Sequence, residues 1–271
     1  MDKLLPFEMW LNSIKEEQES VLATILPNEL NENRVGRLFV SRGNHVIGDL
    51  GNEKINQQVT NMAKIKLDEP NPRSETCTFT LPTGEVVNIF IDVYIPPSEV
   101  MIFGAGHDAI PVAKYAVSLG FKTTVIDQRE SYNSEERFPN TQRLIVRTSD
   151  FDEKIKIGHR TYIIVMNHHI ERDIETLKFV LPSVSPYIGV LGPRSRRIRM
   201  LDAIKAEGIL FNDYELKRMH SPIGLDIGAA SSEEIAISIL AEVIAKKNGH
   251  SGGFLRESEY IHHPVNTKLV V

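Results

Sequence analysis

Gly104-Ala105-Gly106-His107-Asp108-Ala109 reads G-x-G-x-x-A and follows directly on the apolar run Val100-Met101-Ile102-Phe103. Between a strand and a helix, this pattern makes a phosphate cradle. Gly104 allows the tight turn out of the strand. Gly106, lacking a side chain, lets a phosphate approach the backbone, and the methyl of Ala109 still permits close helix–sheet packing. The free N–H groups at the helix start, around His107 and Asp108, and the positive end of the helix dipole favour an anion. Asp127 ends the next apolar run, 21 residues beyond Gly106 (127 − 106), against about 20 in the dinucleotide fingerprint. A carboxylate there accepts ribose hydroxyls and repels a 2′-phosphate, which favours an NAD-type over an NADP-type ligand. Arg129, two residues on, weakens that preference.

Other residues converge on the same end of the predicted sheet. His168 and His169 follow the apolar run Tyr162–Met166, at the carboxyl end of a central strand, where open α/β sheets place ligands. His168 is a candidate to face the ligand, and His169 reads as a surface residue. Two imidazoles, His107 and His168, are too few to argue a metal site. Gly189 and Gly192 bracket the end of a further strand, and Gly192-Pro193-Arg194 opens an arginine-rich helix. Arg194, nearest the turn, is assigned to an anion site. Arg196, Arg197 and Arg199 are expected on a solvated face, with Ile198, Leu201 and Ile204 on the buried one. Ser221–Gly228 reads as a shaped loop that either covers the crevice or pins the last helix. Cys77 reads as a buried small hydrophobe.

The elements that must position these residues fall into two rhythms. Up to residue 97 the chain shows short β-like runs at Val21–Leu26, Arg37–Ser41 and His45–Leu50, and a hairpin of Glu75–Leu81 and Glu85–Ile95 around Pro82-Thr83-Gly84. Helices are expected over 6–19, with Phe7, Trp10, Leu11 and Ile14 on one face, and over 52–66. Pro96-Pro97 marks a boundary. From 98 to 249, strands at Val100–Phe103, Lys122–Ile126, Leu144–Val146, Tyr162–Met166 and Tyr187–Leu191 alternate with helices over 108–119, 173–181 and 196–207. A final helix follows the capping box Ser231 to Glu234. This alternation predicts a Rossmann-like parallel sheet with helices on both faces, preceded by a smaller α+β domain. Residues 250–271 form a polar tail.

Composition bounds the rest. Of 271 residues, 31 are Lys or Arg and 36 Asp or Glu, a net charge of −5, which gives no whole-protein footprint for nucleic acid. The single cysteine excludes an internal disulfide and fits a reducing cytosol. No apolar run reaches the roughly 20 residues needed to cross a bilayer. Leu4-Leu5, followed by Glu8 and Lys15, is no secretory h-region. The expectation is a cytoplasmic protein without a membrane segment, and a symmetric homodimer is the common state for its size.

The stretch from Met101 to Pro139 resembles the Rossmann signature of the XdhC/CoxI family, accessory proteins of xanthine dehydrogenase and related molybdenum hydroxylases. Three later segments match in order: YIIVMNHHIERDIETLKFVL, YIGVLGPRSRR and SPIGLDIGAASSEEIAISILAEVIA. Together they span roughly residues 98–248. The resemblance implies a maturation factor that binds the molybdenum cofactor, protects it during sulfuration and helps insert it. The implied partners are an apo-xanthine dehydrogenase or related hydroxylase and a cysteine desulfurase. It also implies a smaller domain ahead of the Rossmann one. The front half departs from the family: within GDLGNEKIN, Asn52 stands where a cysteine is expected, and a carboxamide cannot carry sulfur. The leading expectation is therefore a non-catalytic accessory protein whose Gly104–Ala109 turn holds the phosphate of a pterin or nucleotide. Two alternatives stay open: an NAD-dependent oxidoreductase with His168 as proton donor, and a nucleotide-sensing interaction module.

Overall fold

In a computed structural model of the chain, residues 5–27, 36–69, 72–80, 84 and 86–257 are described. The chain divides into two units, Met1–Pro96 and Pro97–Val271.

The first unit is an antiparallel sheet with helices. Its elements in order are α1 (Leu5–Lys15), β1 (Ser20–Ile25), β2 (Arg37–Ser41), β3 (Val46–Asp49), α2 (Glu53–Asp68), β4 (Glu75–Thr80) and β5 (Val86–Tyr94). The strand order is β3-β2-β1-β5-β4. Apolar residues of α2 recur at Ile55, Val59, Ala63 and Leu67. This stripe buries against alternate residues of the central strands, among them Val21, Ala23, Val40, Ile89 and Ile91. The expected hairpin pairs Glu75 with Ile91 through Thr80 with Val86; Leu81–Thr83 and Glu85 of its turn lie outside the described residues. Two expectations change here. Leu11 on α1 is exposed, and the helix buries Pro6 and Ser13 instead. Cys77 is only half-buried, with its Sγ 3.6 Å from Met62 Sδ. Burial, and then the nearby Glu75 carboxylate, push its thiol pKa up, which keeps it protonated and unreactive.

The second unit carries the candidate site. Its elements are β6 (Glu99–Phe103), α3 (Ala109–Ser118), β7 (Lys122–Ile126), β8 (Gln142–Leu144), α4 (Phe151–Lys154), β9 (Thr161–Val165), α5 (Ile170–Val180), β10 (Tyr187–Val190), α6 (Arg194–Ala206), α7 (Asp213–Lys217), β11 (Met219–His220) and α8 (Ser232–Lys247). The sheet is parallel throughout, in the order β11-β10-β9-β6-β7-β8. Counted from β6, this is the Rossmann order, with the strand order reversing between β6 and β9. Alternation along β6 explains the two layers. Val100 and Ile102 face a core shared with α3 and α8. Met101 and Phe103 face one shared with α4, α5 and α6.

The third strand of this sheet lies two residues earlier than its apolar letters suggest. α7 and the two-residue β11 have no apolar run of their own. On α6 the buried residues are Met200 and Ile204, Leu201 is partly buried, and Ile198 is 52% exposed.

Candidate functional site

The crest of the sheet is built where β6 and β9 end side by side. β6 stops at Phe103, and Gly104 turns with φ +114°. A side chain there would meet the backbone of the neighbouring strand end: a β-carbon would stand 2.7 Å from the Met166 carbonyl oxygen. This is the close approach for which the fingerprint's first glycine is kept. The Gly104 amide donates to the Ile126 carbonyl at 2.9 Å. The Ala105 amide donates to Asp127 Oδ2 at 2.9 Å.

Beyond Ala105 the turn stays covered: Gly106 and Ala109 are buried, Asp108 is partly buried and His107 is exposed. Among the described residues, the amides of Gly106, His107, Asp108 and Ala109 have no protein acceptor. They stand at the positive end of α3. Asp108 does not cap this helix with its side chain; its Oδ1 accepts from Ser232 Oγ at 2.7 Å, tying the turn to the start of α8. His168 leans over the turn, and a β-carbon on Gly106 would collide with its Nε2. The second glycine therefore makes room for an imidazole, which stands where a ligand would approach the backbone.

Asp127 sits elsewhere in the network than its sequence position suggests. Its side chain is 1% exposed and both oxygens are engaged. Oδ1 accepts from the Arg129 amide at 2.9 Å and Arg129 Nε at 3.0 Å. Oδ2 accepts from Ala105 and from Arg129 Nη2, the latter at 2.6 Å. Arg172 Nη1 lies 3.9 Å from Oδ1. Burial alone pushes this carboxyl up. The hydrogen bonds from Arg129 and Ala105 and the Arg129 charge outweigh it, and the pKa ends below its ordinary value. The Arg129 guanidinium stacks on Tyr132, 4.1 Å from the ring centre. Asp127 thus braces the glycine turn, and no lone pair points to a ribose. The hollow beside it, bounded by Gln128, Val146, Thr148 and Arg172, has a volume of about 20 Å³. That is room for a single ordered water.

The turn after β9 is held by a second network. Asp173 on α5 is fully buried. Its Oδ1 accepts from the Asn167 amide at 3.2 Å and Asn167 Nδ2 at 3.1 Å. Its Oδ2 accepts from Arg196 Nε at 3.1 Å and Nη2 at 2.6 Å. Arg196 also donates to the Asn167 carbonyl at 3.3 Å, and its Cδ fills the space beside Gly192, where φ is +128°. This corrects the expectation of a solvated Arg196. The residue clamps the His168 turn to the Gly192-Pro193-Arg194 turn. Burial raises the Asp173 carboxyl against the pull of Arg196 and Asn167, and the net shift is upward. Arg194 is exposed and, among the described residues, has no carboxylate partner. His169 is exposed, as expected.

Gly189 has an internal reason to be glycine. A β-carbon there would overlap Ile223 and stand 2.7 Å from Tyr187 Oη. Tyr187 Oη donates to Glu242 Oε2 at 2.6 Å, His220 Nδ1 lies 2.8 Å from Oε1, and the Gly224 amide donates to Oε2 at 2.8 Å. Burial, joined by the Glu242 charge, holds the tyrosine protonated. With the Leu225–Ser238 bonds, this network pins the Ser221–Gly228 loop to α8. Sequence reading missed Asn167, Arg172, Asp173, Arg196 and Glu242. Each acts through a partner distant in the chain. Asp173 was the one legible hint, as an acid in the first turn of a helix at the crest.

The arrangement sets amides without a protein acceptor beside His168. Among the described residues no group of three or more His, Cys, Asp or Glu could hold a metal ion. No helix among them is long and apolar enough to cross a membrane. A family profile, the XdhC Rossmann domain, matches residues 100–243.

The chain belongs to the XdhC family. Among its curated relatives is a probable xanthine dehydrogenase subunit of Bacillus subtilis (strain 168), 32% identical over 164 residues, 59% of this chain and 46% of that one. A protein named YqeB from Escherichia coli (strain K12) is 26% identical over 245 residues, 87% of this chain and 44% of that one. The E. coli molybdenum cofactor insertion chaperone PaoD is 24% identical over 176 residues, 65% of this chain and 48% of that one. The XdhC chain described here thus spans a little under half the length of each. A crystal structure described as a xanthine dehydrogenase from Bacillus halodurans shares the fold, with a TM-score of 0.51 and 21% identity over 92% of this chain and 96% of that one. Asn52 is a helix cap: its Oδ1 accepts from the Ile55 amide at 3.2 Å and starts α2.

Proposed function

We propose that this XdhC-family chain is an accessory protein in the maturation of a molybdenum hydroxylase, holding the phosphate of its cofactor at the Gly106–Ala109 turn. The observation that carries the reading is the set of unpartnered amides at the start of α3. A cradle of this kind binds phosphate through backbone donors and the helix dipole. The names of the relatives point to the client class: one is a probable xanthine dehydrogenase subunit, another a chaperone for inserting the molybdenum cofactor.

The residues present fit a phosphate-bearing group. Gly106 puts no side chain of its own in the way, the exposed His168 ring over it swings aside for the ligand, and Arg194 supplies a positive charge at the same crest. Gly192 shapes the turn that presents Arg194. Asp127 and Arg129 hold the loop rigid from below. The bound cofactor would bring the molybdenum chemistry; this chain's groups bind and orient it. Sulfur transfer falls to a cysteine desulfurase partner, since Asn52 caps a helix and carries no thiol. A cytoplasmic homodimer completes the proposal. The engaged oxygens of Asp127 leave no acceptor for a ribose diol, which disfavours an NAD-type ligand.

Reconstitution tests it. Apo-hydroxylase incubated with molybdenum cofactor should regain activity faster with the wild-type chain than without it, and Gly106→Val should abolish the gain. Equal recovery with and without the chain would refute the assignment.

A further inference from the structure

The far end of the crevice, at the carboxyl end of β7, has the opposite charge from the one its fingerprint acid suggests. Asp127 contributes −1, and Arg129 and Arg172 contribute +2 within hydrogen-bond or ion-pair reach of it. The sum is +1. A bare acid here accepts a ribose diol and repels a 2′-phosphate, whereas an arginine accommodates that phosphate. In this chain the acid has no oxygen to offer, because four donors from Ala105 and Arg129 occupy it. Arg129 gives Nε and one Nη2 hydrogen to Asp127. Of the five guanidinium donors, three remain. Its face rests on Tyr132, so the free edge is held in one orientation. Arg172 Nη1 lies 3.9 Å from Asp127 Oδ1, and both arginine side chains are partly exposed, at 27% and 29%.

We propose that Arg129 and Arg172 form a second anion-binding point in the crevice, and that the site selects a nucleotide ligand bearing a 2′-phosphate over one with a free ribose diol. The inference rests on the reading that the glycine turn takes a phosphate, and goes beyond the cofactor reading by adding a 2′-phosphorylated nucleotide as a second ligand of the same crevice. Arg129 is the specificity-determining residue: it cancels the acid and presents donors in its place. Arg172 adds charge without touching the brace. The order of preference inverts the one the isolated motif predicts.

Calorimetry of the full chain with NAD, NADP and inorganic pyrophosphate tests the inference. Wild type should bind NADP at least tenfold tighter than NAD. Arg129→Gln bares the Asp127 carboxylate, so the NADP-to-NAD ratio should fall at least tenfold, with NAD binding gained. Arg172→Gln leaves the four Asp127 bonds in place, and should weaken NADP at least threefold without strengthening NAD. This second variant keeps the test sound if Arg129→Gln melts early. NAD binding as tight as NADP on wild type, or neither dinucleotide binding, overturns the inference. Pyrophosphate separates the two readings. If pyrophosphate binds while the dinucleotides are not distinguished, the second anion point is wrong and the phosphate turn stands. If pyrophosphate fails to bind while the NADP preference holds, the turn is wrong and the second point stands.

Discussion

Replacing Arg196 with methionine removes one member of the most deeply buried ion pair at the crest. Asp173 is 0% exposed and Arg196 23%. Methionine keeps much of the stem volume beside Gly192 and deletes only the guanidinium. Asp173 is left with the two Asn167 donors. Breaking a buried pair from one side costs about 3–5 kcal/mol, against about 0–1 for a surface pair. The remaining donors and the partly exposed arginine place the expected loss near the lower end, about 3 kcal/mol. For a unit of this size, that is roughly 6–12 °C in Tm. The single tryptophan, Trp10, lies in the other unit, so far-UV circular dichroism or hydrogen exchange in α5 and α6 is the proper readout. The pH dependence identifies the cause. Burial has already raised the Asp173 carboxyl above its unfolded value, and loss of Arg196 raises it further. A folded state that holds the extra proton gains as pH falls. The variant's deficit should therefore shrink as pH falls from neutral and the stranded carboxylate protonates. A loss under about 1 kcal/mol near pH 7, or a deficit that grows on acidification, would refute the buried-clamp argument.

Three further outcomes follow from the same geometry. Gly106→Ala pushes the exposed His168 ring aside; stability should change by no more than about 1 kcal/mol, while pyrophosphate affinity drops at least tenfold by calorimetry. Asp127→Ala strands the Ala105 amide and removes the partner of Arg129, at about 2–3 kcal/mol near neutral pH. Because the folded Asp127 carboxyl lies below its ordinary value, the wild-type advantage is present above about pH 4 and is lost as pH falls through that lower value, which urea titrations at several pH values will show. Asn52→Ala should cost about 1 kcal/mol through loss of the α2 cap, read as a lowered urea midpoint for the first unit.

The parallel sheet was legible because its strands are short apolar runs separated by glycine turns and capped helices. The Ser231 to Glu234 box is present as read, with the Glu234 amide donating to Ser231 Oγ at 3.2 Å. β11 was not legible: two residues beside β10 carry no periodicity. The glycine turn was read from spacing, and the lack of protein acceptors for its amides depends only on local backbone. The role of Asp127 was not, because a carboxylate at a strand end looks the same whether it faces a sugar or its own neighbour's guanidinium. Asp173 and Arg196, 23 residues apart, meet only because two crossover helices start at the same crest. Sequence placed Arg196 by helical face, but a long side chain near a helix start can fold back over the turn before it.

The central claim is that the α3 turn offers its backbone donors to a phosphate. Amide chemical shifts of the full chain during titration with inorganic pyrophosphate test it most directly. Gly106, His107, Asp108 and Ala109 should move together and saturate with one affinity, while Ala105, already bonded to Asp127, moves least. Unmoved resonances at those four positions under saturating pyrophosphate would contradict it.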